Sequence, residues 1–343
     1  MSLGHVFWNS EEGRVRAAWR LLAQLALTLG LAMGMQIAIN NAVSAVLPDP
    51  ANAGPAETEI VVTVMQILGQ VTMVTSVALV GWYLDRRPFS DFGLRFNGRW
   101  WGDFGFGLAL GGVLMAVIFA VELAAGWIEV TGFFVAPEGG IPFFPGILLP
   151  LVGYVAVGIG EEIWSRGYFL KNLAEGFKGS KMGGAVAIVL ATVISGAIFG
   201  LGHAMNANAS VVSTFNLFLI AFLLALGYVL TGELAIPIGL HMSWNFFQGN
   251  VFGFPVSGGA SARSFIGTVQ AGPALWTGGA FGPEAGLLGI GALLVGGALI
   301  VLWVRAREGH AALAQEIAKA PEPTPMEDEV RLERGSQPAH ARG

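Results

Sequence analysis

Apolar segments of about 20 residues recur along most of this chain, and this pattern limits the fold more than any other feature. A helix of that length crosses the hydrocarbon core of a bilayer. Charged residues make up 12% of the 343 residues, whereas an average soluble domain has about 25%. We therefore predict an all-α fold, a polytopic transmembrane helical bundle of about eight spans. The apolar segments lie near residues 17–47, 60–83, 101–126, 144–170, 183–203, 211–231, 236–252 and 285–305.

Composition and basic residues divide the chain into three parts. Residues 1–16 form a cytoplasmic N-terminal segment, residues 17–306 form the eight-span membrane domain, and residues 307–343 form a tail with the composition of disordered segments. Basic residues cluster on the connections that share one side of the membrane with both termini, and such residues stay in the cytoplasm. We therefore predict that both termini are cytoplasmic and that the chain is a multi-pass protein of the cell membrane.

The composition also excludes several kinds of function. The chain has no cysteine, which rules out disulfides, thiolate metal sites and cysteine nucleophiles. A formal net charge of −5 gives no support for a nucleic-acid partner. The lipid bilayer is the one partner that composition alone predicts.

Two adjacent glutamates, Glu161 and Glu162, lie in the apolar fourth span. An acidic side chain at the centre of a span costs about 2.5–3.5 kcal/mol, so the pair requires an explanation. Glu162 and Arg166 are four residues apart and share one helix face, whereas Glu161 lies about 100° round the helix. Solvation at the cytoplasmic end of the span would explain the pair without any function.

Two of the five histidines, His203 and His241, fall in apolar segments. Phe199 precedes His203 by one helical turn and Asn245 follows His241 by one turn, so each pair shares a helix face. A single histidine near a span end is more often a satisfied polar residue than a catalyst. Polar pairs on three helices favour one interior cluster, because intramembrane ionisable groups usually face the bundle interior and partner one another.

Two further features bear on the extent of this cluster. The connection at 253–282 is rich in Gly, Ser and Ala, and a connection of that length often covers a site. Glu122, near the end of the third span, has no basic partner in the sequence, so we leave it outside the cluster.

A carboxylate beside a histidine in a dry pocket can activate a water molecule. Arg166 would keep Glu162 ionised, which leaves Glu161 as the general base. His203 would hold the same water or pass its proton to a leaving amine. The residues therefore predict hydrolysis of a peptide bond without a covalent intermediate.

The third polar pair suits a second role, and the same cluster also suits a metal. His241 and Asn245 offer donors that would stabilise the oxyanion of a tetrahedral intermediate. If zinc is present, Glu161, His203 and His241 would be its ligands, because imidazole nitrogens and carboxylate oxygens bind zinc. The helical signature H-E-x-x-H is absent. We favour a site without a cofactor and keep zinc as the alternative.

The segments EEIWSR, FGLGH and HMSWN resemble the EExxxR, FxxxH and HxxxN motifs of a known family. That family is the CAAX protease and bacteriocin-processing intramembrane endopeptidases, which are related to type II CAAX prenyl endopeptidases. The resemblance covers residues 144–252. It implies an eight-helix fold and endopeptidase activity on membrane-associated peptides or proteins, such as prenylated CAAX-type or leader-peptide substrates. The candidate catalytic residues are Glu161, Glu162, Arg166, His203, His241 and Asn245.

The resemblance also implies individual roles. Glu161 and His203 would position the hydrolytic water, and His241 and Asn245 would serve the oxyanion. Members of the family have been described both as metalloproteases and as glutamate-dependent enzymes, so the resemblance leaves the zinc alternative open.

Two other functions fit the same residues. A non-catalytic membrane scaffold or bacteriocin-immunity-type protein would keep the helical fold and bind a peptide. A proton-coupled transporter would use the glutamates and histidines as a relay. The two halves of the chain show no matching interrupted spans of the kind found in inverted-repeat transporters, which makes the transporter the weaker alternative.

The motifs differ in their predicted depth in the membrane. Straight helices would place Glu162 and His203 roughly 10 Å apart in depth, and His241 lies only a few residues into its own span. Helix tilt, or a connection at 231–237 that dips into the bundle, would bring the three motifs to one level.

Overall fold

Helices account for most of the chain in the computed structural model, which describes residues 4–10, 12–46, 53–178 and 182–321. Two short antiparallel pairs of strands accompany them, β1 (Trp8–Asn9) with β2 (Arg14–Val15) and β3 (Ile128–Val135) with β4 (Ser264–Gln270). The α-helices in these residues are α1 (Gly4–Phe7), α2 (Ala17–Val46), α3 (Pro55–Val80), α4 (Gly98–Ala124), α5 (Phe143–Gly146), α6 (Leu148–Glu162), α7 (Lys171–Phe177), α8 (Gly184–Gly202), α9 (Val211–Thr231), α10 (Ala235–Phe246), α11 (Ala274–Thr277) and α12 (Leu287–Glu308).

Seven helical segments are long and apolar enough to cross a membrane, within the ranges that the structure describes. They correspond to seven of the eight predicted spans, so the predicted all-α polytopic bundle is confirmed. The side of the membrane on which the termini lie stays a prediction. The seven segments are Ala17–Ala45, Pro55–Asp85, Gly98–Ala124, Phe143–Phe177, Gly184–Gly202, Val211–Thr231 and Leu287–Glu308.

The remaining predicted span, 236–252, is a shorter helix in the centre of the bundle. Helix α10 has 12 residues and continues through a π-helical turn, Phe247–Val251. It packs against α4, α6 and α9, and every residue from Ala235 to Asn245 is buried. A helix that is apolar on all sides is buried either in lipid or in protein. The sequence pattern is the same in both cases, and here the surroundings are protein.

Glycines allow α4 and α10 to approach until their backbones touch. A Cβ atom added at Gly107 would lie 2.4 Å from the carbonyl oxygen of Ile236, and one added at Gly239 would lie 2.4 Å from the carbonyl oxygen of Phe104. Backbone atoms cannot move aside as a flexible side chain can. The position of α10, and of His241 on it, therefore depends on these two glycines.

We expect Gly107→Val to destabilise the fold by about 3 kcal/mol, at the upper end of the range for an overpacked core. The valine side chain would force α4 and α10 apart at their point of contact. Gly105→Val is the matched control, since a Cβ atom at Gly105 would meet nothing within 4 Å. Thermal unfolding of both variants in the same detergent measures the difference, and equal midpoints would contradict this account of the crossing.

The connection between α9 and α10 packs against the connection that precedes α4. Leu234 is fully buried, and its backbone N–H donates to the carbonyl oxygen of Gly93 at 2.9 Å. Helix α10 therefore starts at a buried level. The contact of 2.8 Å between His241 and Glu162 shows that the two motifs meet, and the contribution of helix tilt or of a dipping connection to their depth in the membrane stays a prediction.

Helix α6 does not end at Glu162 but continues through a π-helical stretch, Ile163–Leu170, into α7. The result is one segment of 35 residues, Phe143–Phe177. π-helical turns are rare and occur frequently at functional sites. Both α6 and α10 enter a π-helical turn within two residues of their motif residues.

Parts of both predicted terminal segments pack against the rest of the protein. Arg14, within predicted segment 1–16, pairs with Glu175 at 2.8 Å and is buried. The predicted tail 307–343 starts with the last turn of α12 and includes the buried residue Ile317. Hydrophobic contacts hold this first part of the tail, and composition alone does not indicate them. Residues 322–343 lie outside the described residues.

Candidate active site

The three motifs meet because α6 contacts α10 and the π-helical stretch after α6 contacts α8. Glu162 and Arg166 form the predicted ion pair, with Nη1 of Arg166 donating to Oε1 of Glu162 at 2.9 Å. Their side chains are 0% and 1% exposed. Solvation at the end of a span therefore does not explain Glu162.

Arg166 also connects the π-helical stretch after α6 to α8 and α9. Its Nη2 donates to the carbonyl oxygen of Ala221 on α9 at 3.2 Å. Its guanidinium group lies 4.5 Å from the ring centroid of Phe199 on α8, which is within the range of a cation–π interaction. The arginine is thus held on three sides.

His241 lies between the two glutamates. Its Nδ1 is 2.8 Å from Oε1 of Glu162, the same oxygen that Arg166 contacts. Its Nε2 is 3.9 Å from Oε2 of Glu161. With His241 protonated, the formal charges of these four residues sum to zero, which favours their burial together.

His203 is fixed at the end of α8 by its own helix. Its Nδ1 is 2.8 Å from the carbonyl oxygen of Phe199. A carbonyl oxygen only accepts hydrogen bonds, so Nδ1 carries the proton. In the neutral ring, Nε2 is then the acceptor that is available to a water molecule.

A cavity of about 550 Å³ lies between α3, α6, α8 and α10. Four of the six candidate residues line it, and Glu162 and Arg166 lie behind its wall. This volume is within the range of ligand pockets in proteins. The lining residues are Gln66, Met73, Tyr154, Val157, Glu161, Trp164, Ile198, Phe199, Gly202, His203, Asn206, His241, Asn245, Val256 and Ser257.

Residues 143–247 match the family model described as type II CAAX prenyl endopeptidase Rce1-like. The chain contains an Rce1-like domain. The match begins at α5 and ends two residues after Asn245, so it includes all three motifs. This finding confirms the resemblance noted in the sequence. No curated protein and no solved structure matches the chain.

The zinc alternative predicts Glu161, His203 and His241 as the ligands of the metal. No three histidine, cysteine, aspartate or glutamate side chains lie close enough together to hold a metal ion, among the residues that the structure describes. The absence of a cofactor stays a prediction, and the mechanism proposed for this site uses no metal.

The loop after the Rce1-like domain contributes residues that sequence reasoning did not assign to the site. Val256 and Ser257, from the long connection predicted as a cover, line the cavity. Glu284 lies in a smaller recess beside His203 and is 3% exposed. Glu284 was not among the residues that the sequence predicted for the site.

Glu122 lies outside the site, as the sequence analysis assumed. It is fully buried near the end of α4, and one of its oxygens accepts a hydrogen bond from Gln270 at 2.9 Å. An amide on the distant strand β4 is therefore the partner that could not be seen in the sequence.

Proposed function

We propose that this protein is an intramembrane endopeptidase that hydrolyses peptide bonds with a water molecule activated by Glu161. The main support is the difference in exposure and in bonding partners between the two glutamates. Glu161 lines the cavity with a 21% exposed side chain, whereas Glu162 is fully buried and bound to both Arg166 and His241. Only one of the two carboxylates can reach a substrate.

In the proposed reaction, the water lies between Glu161 and Nε2 of His203. Glu161 accepts one proton from the water as its oxygen attacks the carbonyl carbon of the peptide. His203 accepts a hydrogen bond from the second proton and so orients the attack. When the tetrahedral intermediate collapses, the carbon–nitrogen bond breaks and Glu161 returns its proton to the leaving amine.

The oxyanion of the intermediate would be bound by the side-chain amide of Asn245 and by Nε2–H of protonated His241. Donors that are already aimed at the developing charge stabilise the transition state more than the substrate. Glu162 supports the protonated ring because it accepts the hydrogen bond of the other nitrogen, Nδ1. Arg166 would then act through Glu162, without touching the substrate.

The proposed substrates are membrane-associated peptides, either prenylated CAAX-type C-termini or leader peptides, and the proposed location is the cell membrane. Apolar side chains such as Met73, Val157 and Ile198 line the cavity beside the polar cluster. A pocket with apolar walls and a few convergent polar groups suits a peptide that carries a lipid or apolar residues.

The test is cleavage by the purified protein in lipid nanodiscs. The probes are fluorogenic peptides with a prenylated C-terminal tetrapeptide, the same peptides without the prenyl group, and leader-type peptides. We expect His203→Ala to lower kcat about 100-fold or more, as for loss of a catalytic acid–base group. His310→Ala is the control, because His310 lies on the exposed segment after α12.

Three outcomes would contradict the proposal. Full activity in His203→Ala would remove that residue from the reaction. Binding of every peptide without cleavage by the wild-type protein would support the scaffold alternative. Zinc measured at one equivalent per chain, and lost together with activity on chelation, would replace the metal-free mechanism.

A further inference from the structure

A second, smaller recess of about 40 Å³ adjoins the cavity on the side of α9. Leucines of α9 and Trp244 form its apolar wall, and His203, His241 and Asn245 separate it from the main cavity. Glu284 is the carboxylate in this recess. Its 3% exposure makes it a buried acid beside the site for which the proposed mechanism has no use.

Glu284 binds a turn that belongs to both cavities. The backbone N–H of Ser257 donates to Oε1 of Glu284, and Ser257 lines the main cavity as well as the recess. We call residues 256–259 the cover turn. Backbone atoms of Val256 and Gly259 close it by hydrogen bonds in both directions at 2.8 Å.

The cover turn holds a strained conformation. Ser257 has φ +46°, in the left-handed region that residues other than glycine seldom adopt. Such conformations persist only when the surrounding structure holds them in place, and they cluster at functional sites. The hydrogen bond to Glu284 is one of the contacts that hold Ser257 in this conformation.

The loop after His203 holds the cover turn from the other side. The amide nitrogen of Asn206 donates to the carbonyl oxygen of Ser257 at 3.0 Å, and that of Asn208 donates to the carbonyl oxygen of Gly258 at 3.0 Å. Gly258 has φ +86°, and a Cβ atom there would overlap the carbonyl oxygen of Ala207. The turn is therefore clamped between this loop and Glu284.

We propose that Glu284 is a positioning residue that holds the cover turn against the cavity and so fixes the wall on which a peptide substrate lies. This inference rests on the proposed function for its substrate, although the clamp itself does not. Without the carboxylate, the N–H of Ser257 would lose its buried acceptor and the left-handed residue would relax. The cavity would then widen opposite Glu161, while the groups that activate water would stay in place.

Glutamine is a close mimic of this carboxyl group. Burial raises the pKa of Glu284 above its ordinary range, although the hydrogen bonds from Ser257 oppose that effect. A glutamine amide oxygen can still accept from the backbone of Ser257, whereas alanine leaves that N–H without an acceptor.

The first test compares Glu284→Ala with Glu284→Gln in peptide cleavage. We expect Glu284→Ala to raise KM about tenfold with kcat within about threefold of wild type, because substrate placement changes and the chemical step does not. Glu284→Gln should restore KM. Equal damage from both variants, or a lower kcat at unchanged KM, would overturn the proposal, because the charge or the chemistry would then be the cause.

The second test needs no cleavage and uses the absence of cysteine from the chain. In a Val256→Cys background, the rate of maleimide labelling reports how firmly the turn is held. We expect Glu284→Ala to raise that rate about tenfold through local opening, and Glu284→Gln to leave it unchanged. Glu122→Ala is the matched control, since Glu122 is equally buried and lies outside the site.

The two tests separate the two proposals. Unchanged labelling in Glu284→Ala, or an equal increase in Glu122→Ala, would overturn the role of Glu284 whatever the peptidase result. Faster labelling in Glu284→Ala alone, in a protein that cleaves no peptide, would support the clamp and reject the proposed function.

Discussion

Replacing Glu161 with glutamine is expected to abolish peptide cleavage, with kcat lower by about 100- to 10,000-fold, the range for loss of a general base. Glutamine has the shape of glutamate but cannot take the proton of the attacking water. Glu161 lines the cavity and lies 3.9 Å from Nε2 of His241, so its loss acts at the reacting atoms. Binding of the peptide should change little, because the side chain remains polar and of equal size.

The measurement is initial cleavage rate at several peptide concentrations, together with thermal unfolding of the same preparations. Glu129→Gln is the control for a change of one charge, since Glu129 is exposed on β3. The unfolding midpoints should agree among the variants and the wild-type protein. Wild-type kcat in Glu161→Gln would show that another group takes the proton, and the division of roles between Glu161 and Glu162 would be wrong.

Replacing Arg166 with methionine is expected to lower the free energy of unfolding by about 3–5 kcal/mol. This is the range for removing one partner of a buried ion pair. Glu162 is fully buried, and its Oε2 already has no hydrogen-bond partner. Methionine would remove the charge that balances this carboxylate and the donor to the carbonyl oxygen of Ala221. Denaturant unfolding in mixed micelles measures the change.

The double variant Glu162→Gln with Arg166→Met tests whether the unpaired charge is the cause. Replacement of both partners of a buried pair is often close to neutral, so we expect the double variant to recover at least half of the lost stability. It should remain inactive, because His241 loses the carboxylate that holds its Nδ1. A double variant as unstable as Arg166→Met alone would locate the loss in packing and not in charge.

The sequence was sufficient for much of the fold and of the candidate site. Apolar runs predicted the spans because a helix that crosses the hydrocarbon core needs about 20 predominantly apolar residues. The spacing of four between Glu162 and Arg166 predicted their pairing, since that contact lies within one helix. Contacts within one helix can be predicted without knowing the tertiary structure.

Features that depend on distant segments were not predictable in the same way. The apolar pattern of α10 could not distinguish burial in protein from burial in lipid. The π-helical stretches after Glu162 and Asn245 cannot be recognised from the composition or from the hydrophobic periodicity of the sequence. Glu284 lies more than 30 residues after the last motif, and its role depends on a turn that it meets only in the folded chain.

The central position of α10 has a consequence for how the membrane acts on this protein. Changes in bilayer thickness tilt or stretch those helices that touch lipid. Helix α10 packs against α4, α6 and α9, and its residues Ala235–Asn245 are buried, so it presents little surface to lipid. A thicker or thinner bilayer would shift the height at which a peptide's bonds reach the cavity. The position of His241 would be insulated from that change more than the positions of residues on the outer helices.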